Sequence, residues 1–156
     1  MAGESERLRS ALESDCAVGI SQVIEEKRQE DFEALQALLS LDPSVNPRHR
    51  LKAIHALGRW GDPAPAVAIC NVLHHLDETG RIRAIDALGR LGTTEALAAV
   101  IECADDASLH VRKFVTNALG RINTPAAQAK LRDIESQDSV EYVRTLAAKH
   151  LRRAQA

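Results

Sequence analysis

Arginines that recur at fixed intervals are the residues of this sequence whose spacing most suggests a chemical role. One column comprises Arg50, Arg81, Arg112 and Arg144. A second column, nine residues further along, comprises Arg59, Arg90, Arg121 and Arg153. Guanidinium groups bind carboxylate and phosphate oxygens through paired hydrogen bonds. Nine residues correspond to about 900° of rotation on an α-helix, so the two columns are expected on opposite helix faces.

Aspartates accompany the first arginine column. Asp106 precedes Arg112 by six residues, and Asp138 precedes Arg144 by six. This spacing predicts a ladder of aspartate–arginine pairs that ties adjacent structural units together. The second column is expected near the C-terminal ends of helices, where cations complement the helix dipole. Phosphate binding is the alternative role for that column.

Histidines are the candidate metal ligands. The six are His49, His55, His74, His75, His110 and His150. His74 and His75 are followed closely by Asp77 and Glu78. However, adjacent histidines diverge by about 100° on a helix and cannot readily bind one ion together. We therefore predict that the protein holds no metal and no other cofactor.

Motifs for a catalytic nucleophile are absent from the sequence. It contains no Gly-x-Ser-x-Gly and no glycine loop of the kind that cradles phosphate. The three cysteines, Cys16, Cys70 and Cys103, include no Cys-x-x-Cys pair. Cys70 and Cys103 fall at apolar helix positions, where a free thiol behaves as a small hydrophobic group. We predict a protein that is not an enzyme, has no small-molecule substrate and resides in the reducing cytoplasm.

Composition and charge limit the kinds of partner. The net charge is −2, so no overall field attracts nucleic acid or an anionic membrane. No apolar run approaches the length of about 18 residues that spans a bilayer. Residues 1–45 carry ten acidic and four basic residues, whereas residues 46–156 carry twelve and sixteen. We interpret this as an acidic cap on a mildly basic stack; a polarity that orients a partner is the alternative.

The arginine columns belong to one repeated phrase, which is clearest as Arg-Ile-Arg-Ala-Ile-Asp-Ala-Leu-Gly-Arg-Leu-Gly. Copies of the phrase occupy Arg50–Gly61, Arg81–Gly92, Arg112–Asn123 and, in degraded form, Arg144–Arg153. A fixed period of this length indicates a stack of repeated structural units. Gly58, Gly89 and Gly120 are 31 residues apart, and they are expected where neighbouring helices approach closely.

Each repeat is predicted to contain two helices, which we call A and B. Helix A contains the phrase and ends at a residue that favours the left-handed conformation: Gly61, Gly92 or Asn123. Helix B follows a residue suited to N-capping: Asp62, Thr93 or Thr124. The A helices are predicted at about Pro47–Trp60, Glu78–Leu91, Ala107–Ile122 and Ser139–Arg153. The B helices are predicted at about Pro63–Leu76, Thr94–Ala104 and Pro125–Ser136.

The N-terminal region, residues 1–45, is predicted to be a divergent helix pair that caps the stack. Ser5 is a candidate N-cap, and residues 5–27 form either one long helix or two; the sequence leaves both open. A further helix is expected at about Glu30–Leu41. The whole chain, 1–156, is predicted to be one all-α domain, an α-solenoid of about four to five helix pairs. Its regular 31-residue repeats occupy residues 46–156.

The phrase Arg-x-x-Ala-x-x-Ala-Leu-Gly-Arg-Leu-Gly resembles the HEAT-like repeat of the phycobilisome-lyase type. The resemblance covers about residues 42–153. It implies a right-handed α–α superhelix with the A helices outside and the B helices lining the concave face. In that family the usual role is protein–protein interaction, and some members are bilin lyases or their subunits. HEAT-like deoxyhypusine hydroxylases bind iron through His-Glu dipeptides, of which this sequence has none.

Function is predicted from the face that the B helices would present to a partner. In the first B helix, the buried side is defined by Ala66, Ile69, Cys70 and Leu73. The exposed residues lie nearly opposite, and their equivalents in the later repeats are 31 and 62 positions further along the chain. The predicted protein-binding residues are Ala68, Asn71, His75, Ala99, Glu102, Lys130 and Asp133. We predict a scaffold that binds another protein through this strip.

Two alternative functions are weighed against this prediction. The first is a subunit of a bilin lyase or of a related protein-modifying enzyme. The second is nucleic-acid binding, which is disfavoured because acidic residues recur along the B helices. In addition, the sole tryptophan, Trp60, falls near the end of a helix A at a position typical of the core.

Overall fold

The computed structural model describes residues 6–14 and 17–155 and is helical throughout. Within these ranges it has ten α-helices, one 3₁₀ turn at Cys103–Asp105 and no strand. The helices are α1 Glu6–Glu13, α2 Ala17–Glu26, α3 Gln29–Ala37, α4 Pro47–Trp60, α5 Ala66–Leu73, α6 Glu78–Leu91, α7 Thr94–Glu102, α8 Leu109–Ile122, α9 Pro125–Gln137 and α10 Glu141–Ala154. The prediction of an all-α fold of stacked helix pairs is confirmed. The predicted N-cap Ser5 lies outside the described residues.

The regular repeats alternate A helices (α4, α6, α8 and α10) with B helices (α5, α7 and α9). Helices α4 and α6 have the predicted bounds. Helix α5 is three residues shorter than predicted at each end. At its start, the Asp62 carboxylate accepts the N–H of Ala64 at 2.8 Å, which forms a turn in front of the helix. The helix then begins after Pro65.

Local capping signals set the junctions between the A and B helices. Gly61, Gly92 and Asn123 have φ angles of 88°, 64° and 51°, which is the predicted left-handed conformation. The Thr93 hydroxyl accepts the N–H of Ala96 at 3.1 Å, and the Thr124 hydroxyl caps α9 in the same way. These signals fix the connection between the two helices in each repeat, because they satisfy backbone groups that the helix ends leave unpaired.

Consecutive A helices approach each other closely at the repeated glycines. A Cβ atom added at Gly58 would lie 2.5 Å from the Cβ of Ala87, and one added at Gly89 would lie 2.7 Å from that of Ala118. Gly58 and Gly89 therefore each face the alanine that lies two residues before the next glycine of the series, whereas Gly120 faces the ring of His150. The predicted close approach is confirmed, and its partner is the next A helix rather than a B helix.

Ion pairs between the first arginine column and the aspartates join successive repeats. Arg81 donates to both carboxylate oxygens of Asp106, with the shorter Nε contact at 2.8 Å, and Arg112 donates likewise to Asp138 at 2.9 Å. The Arg112 side chain also donates to the backbone carbonyl of Asp106 at 3.0 Å. Each of these two arginines thus joins the turn before its own helix to the turn before the next A helix. The predicted ladder is confirmed for Arg81 and Arg112. Arg50 and Arg144 instead donate to the backbone carbonyls of Ser40 and Asp138, at 2.9 and 2.7 Å.

Burial and charge act together on the pKa values of the ladder pair Arg112 and Asp138. Burial opposes ionisation of Asp138, but hydrogen bonds from Arg112 and from the Val140 N–H outweigh it and hold the pKa of Asp138 below its usual value. The hydrogen bond to Asp138 raises the pKa of Arg112. Both groups therefore stay charged at neutral pH, and the ladder keeps its ion pairs.

The N-terminal region contains three helices, α1 to α3, rather than the expected pair. Residues 15 and 16, which lie between α1 and α2, are outside the described ranges. The fully buried Asp31 of α3 forms an ion pair with Arg7 of α1 at 2.9 Å, and Arg7 also pairs with Glu26. Lys52 of α4 donates to the carbonyls of Ala11 and Leu12, with nitrogen–oxygen distances of 3.1 and 2.7 Å. Charged groups therefore attach the acidic cap to the first repeat.

A single hydrophobic cluster runs through the whole stack from α1 to α10. Trp60 is 8% exposed, and its ring centroid lies 5.5 Å from that of Phe32 in α3. The predicted core position of Trp60 is confirmed. Within the described residues, no helix is both long enough and apolar enough to cross a membrane.

Candidate functional site

The predicted binding strip on the B helices is only partly a surface. Asn71, Glu102 and Asp133 are exposed, as expected of a face that points away from the core. Ala68 and Lys130 are half-buried. These five residues belong to α5, α7 and α9, and they repeat at the same helix positions because the 31-residue period is maintained.

Two residues of the strip differ from the prediction. Ala99 is 6% exposed, because α7 packs against the helices on either side of it and a methyl group is too short to emerge. His75 is exposed but lies in the turn after α5, which ends at Leu73. The assumption of a continuous helix through His75 was wrong, so the strip does not extend to this residue on one helix face.

Contacts on the B side link neighbouring helices in two places. A ring nitrogen of His74 lies 3.2 Å from a carboxylate oxygen of Glu102, which joins the end of α5 to α7. Lys130 and Asp133 both line a small pocket of about 210 Å³, together with Asp105 and Asp138. This side therefore presents mainly carboxylates to a ligand, with one lysine among them.

A groove on the A helices was not predicted. It consists of two adjoining pockets, and we call it the A-helix groove. The first pocket, of about 340 Å³, is lined by Asp86, Phe114, Asn117, Gly120, Arg121, Asn123, His150, Arg153 and Ala154. The second, of about 270 Å³, is lined by His55, Thr79, Ile82, Arg83, Asp86 and Phe114. Asp86 and Phe114 border both pockets, so the groove crosses all four A helices from α4 to α10.

Asp86 is the only carboxylate among the described residues that line these two pockets. Its oxygens accept from Arg90 Nε at 3.1 Å and from Arg121 Nη1 at 3.1 Å. Burial opposes its ionisation, but the two arginines outweigh burial and hold the pKa of Asp86 below its usual value. Both arginines come from the second column. Arg90 lies on α6 with Asp86, whereas the contact of Arg121 with Asp86 connects α8 to α6.

Two histidines lie at opposite ends of the groove, among cations. Burial lowers the pKa of His55, and the charges of Arg59, Arg83 and Arg90 lower it further. Burial likewise lowers the pKa of His150, as do Arg153, Lys149 and Arg121. At neutral pH both rings are therefore neutral. The ring of His150 lies 3.0 Å from the side-chain oxygen of Asn117, a contact that requires a proton on that ring nitrogen.

The two layers of helices differ in how closely they pack. Consecutive A helices pack against each other more extensively than consecutive B helices do. Glycine allows close contact between the A helices, whereas α5, α7 and α9 contain no glycine. The A helices therefore form the more tightly packed layer of the stack.

The cysteines and the possible metal ligands are the remaining candidate chemical groups. Cys103 is buried, and burial raises the pKa of its thiol to about 11; burial also raises the pKa of the half-buried Cys70. Cys16 lies outside the described residues. Among the residues that the structure describes, no group of three or more histidines, cysteines and carboxylates is placed to hold a metal ion.

The repeat geometry agrees with a sequence comparison. The family described as HEAT repeats matches residues 66–152, which is more than half of the chain. The chain belongs to the HEAT-repeat family. No curated protein matches this HEAT-repeat chain in sequence at a significant level.

Solved structures share the HEAT-repeat fold of the chain. Human deoxyhypusine hydroxylase in complex with glycerol has a TM-score of 0.67 and 27% identity, over 80% of this chain and 43% of the hydroxylase chain. The complex of CpcE and CpcF of phycocyanin lyase from Nostoc has a TM-score of 0.69 and 20% identity, over 95% of this chain and 63% of the lyase chain. The chain thus spans less than two thirds of the length of either structure.

Proposed function

We propose that this HEAT-repeat chain is a non-enzymatic scaffold that binds another protein. The observation that carries the proposal is the A-helix groove, in which side chains from four successive A helices line one continuous depression. Gly–Ala contacts and the Asp–Arg ladder hold these helices in register. A surface held rigid before binding loses little conformational freedom when a partner docks, which favours affinity.

Two surfaces are available to a partner, and the groove is the better supported. It is concave, it lies on the side where the helices are closest, and its charge is mostly of one sign. The B-helix strip retains Asn71, Glu102 and Asp133 as exposed residues. The buried Ala99 interrupts the strip between the outer repeats. We therefore propose the A-helix groove as the main binding surface and the strip as the secondary one.

The alternative of a bilin-lyase subunit rests on the fold. The lyase complex is 20% identical to this chain, and a solenoid fold serves many unrelated functions. No contact among the described residues favours a lyase subunit over a general scaffold. The same reasoning applies to the deoxyhypusine hydroxylase, because the similarity to this chain covers only 43% of the hydroxylase chain.

The proposal is tested by affinity capture with the full chain as bait in extracts of its source organism, followed by crosslinking and mass spectrometry. We expect a partner recovered in stoichiometric amount, with crosslinks that involve Lys149 and Lys113 of the A helices. Crosslinks confined to Lys130 would instead place the partner on the B side. Failure to recover any partner beyond those of a charge-matched unrelated bait would count against the scaffold function itself.

A further inference from the structure

We propose that the A-helix groove binds an acidic segment of the partner protein. This inference rests on the proposed function and specifies the chemistry of the ligand. The groove already contains the residues that such a segment requires: cations on both sides of two pockets, and a half-buried aromatic ring, Phe114, at their common border.

The groove carries more positive than negative side chains. Arg83 lines one pocket, and Arg121 and Arg153 line the other. The single carboxylate, Asp86, is shared between Arg90 and Arg121 and so is already neutralised. An anionic ligand would add carboxylates where the cations lack them.

The arginines are available to a ligand because they extend from the helix surface. Arg83 and Arg153 are exposed. The Arg121 side chain is 41% exposed although it contacts Asp86. Arginine binds a carboxylate through two parallel hydrogen bonds, so each exposed guanidinium offers a directional site as well as a charge.

The spacing of the pockets suggests the spacing of the acidic residues. Successive helix axes in contact lie about 8–10 Å apart, and the two pockets adjoin across one such step. A chain in the polyproline II conformation has three residues per turn and advances about 3.1 Å per residue, so side chains three residues apart lie on one side and span that step. Acidic residues at every third position of such a segment would therefore place one carboxylate near Arg83 and the next near Arg121 and Arg153.

The opposite side of the stack would repel the same ligand. Glu95, Glu102, Asp133 and Glu135 are exposed carboxylates of the B helices. Charge complementarity between surfaces contributes mainly to specificity and to the rate of association. An acidic segment is therefore directed to the A-helix groove and away from the B helices.

A protein segment suits the groove better than a nucleic acid does. Bases bind single-strand sites by stacking on exposed aromatic rings, but Phe114 is half-buried and is the only aromatic residue described in the two pockets. The net charge of −2 also provides no overall attraction for a polyanion. A groove made of two adjoining pockets can receive successive side chains of a peptide.

Binding is measured by fluorescence polarisation with the full chain and a labelled peptide that has glutamate at every third position. A peptide of the same length with glutamine at those positions is the control ligand. We expect the glutamate peptide to bind at least about tenfold more tightly at low salt, with a smaller difference as salt rises. Equal affinity for the two peptides would overturn the inference. Tighter binding of a single-stranded oligonucleotide than of the glutamate peptide would also overturn it.

Matched variants locate the contact. The double variant Arg83→Gln/Arg153→Gln removes two exposed cations of the groove, and Lys130→Gln/Arg132→Gln removes two from the B helix α9. We expect about a tenfold loss of glutamate-peptide affinity in the groove variant and less than a twofold change in the other. Equal losses in both would show a diffuse charge effect. Thermal unfolding of both variants should match that of the wild type.

The same variants separate this inference from the proposed function. If a captured partner binds the Arg83→Gln/Arg153→Gln variant as well as it binds the wild type, the acidic-segment inference fails and the scaffold function stands. A second copy of this chain is excluded as the occupant if sedimentation shows a monomer at the concentrations used. Self-association that the groove variant abolishes would assign the groove to a second copy and overturn the inference.

Discussion

Asp106 and His75 occupy equivalent positions 31 residues apart, yet only Asp106 forms an ion pair with an arginine of the preceding repeat. Asp106 pairs with Arg81 at 2.8 Å, and it also accepts the N–H of Ser108 at 2.8 Å. The arginine that corresponds to Arg81 in the first repeat is Arg50, whose Nε donates to the carbonyl of Ser40 at 2.9 Å. The ladder therefore lacks a carboxylate at position 75.

We predict that His75→Asp stabilises the protein. The new carboxylate can accept the N–H of residue 77, as Asp106 does for residue 108, and it can pair with Arg50. A hydrogen bond to a charged group contributes about 1.5–3 kcal/mol, and turning Arg50 away from Ser40 offsets part of it, so a gain of about 1 kcal/mol is expected in urea unfolding. His75→Asn is the control, because it restores the turn bond alone. A gain from Asn as large as that from Asp would show that Arg50 takes no part.

The ladder pair Arg112–Asp138 predicts a dependence of stability on pH. The pKa of Asp138 is lower in the folded protein than in the unfolded chain. The ion pair therefore stabilises the fold fully at pH values above the pKa of Asp138 in the unfolded chain. This contribution is lost as the pH falls through the lowered folded pKa. Asp138→Asn should therefore cost about 2 kcal/mol at neutral pH, and the cost should shrink below about pH 4.

Urea unfolding of wild type and Asp138→Asn between neutral and acidic pH measures this difference. Asp133→Asn removes an exposed carboxylate of the same repeat and serves as the control, with an expected change within about 0.5 kcal/mol. A cost for Asp138→Asn that is the same at low and neutral pH would contradict the role assigned to its charge.

The contact between Gly89 and Ala118 predicts that Gly89→Arg destabilises the protein strongly. A Cβ at Gly89 would lie 2.8 Å from the Cα of Ala118, so the obstacle is backbone and cannot rotate away. Overpacking of this kind costs about 1–3 kcal/mol or more, because α6 and α8 would have to separate. Ala98→Arg introduces the same side chain at an exposed position of α7 and should melt within a few degrees of the wild type. A Gly89→Arg variant with the wild-type melting temperature would show that the helices separate at no cost.

The parts of the fold that were predictable are those encoded locally. Gly92 ends α6 and Thr93 caps α7 through contacts with neighbouring residues in the sequence, which do not depend on the rest of the chain. The boundary between these two helices therefore followed from the sequence. Ladder residues were predictable for a related reason: the repeat places Arg81 and Arg112 at the same helix position, and each meets an aspartate, Asp106 or Asp138, with the same geometry.

The candidate binding surface was harder to predict because it depends on how helices come together. Ala99 lies on the outward side of an isolated helix, but its neighbours cover it. The A-helix groove joins residues from four helices, and its existence depends on the close approach that glycine permits. The second arginine column and the histidines His55 and His150 were visible in the repeated phrase. The contact of Arg121 with Asp86 and the common groove that these residues line depend on the distance between helices, which the phrase does not contain.

The two described cysteines should differ in their reactivity toward alkylating reagents. The thiolate is the reactive form, and burial raises the pKa of Cys103 to about 11, so about one molecule in a thousand is ionised at pH 8. Cys70 is half-buried, with its sulfur 3.6 Å from the carbonyl oxygen of Glu95, and its pKa is raised for the same main reason.

Iodoacetamide labelling of the native protein, followed by peptide mass spectrometry, should therefore modify Cys70 faster than Cys103. Labelling in urea should remove the difference, because unfolding exposes both thiols to water. Equal rates in the native protein would mean that α7 and the 3₁₀ turn after it open as readily as α5, which the continuous core through Val100 and Cys103 argues against.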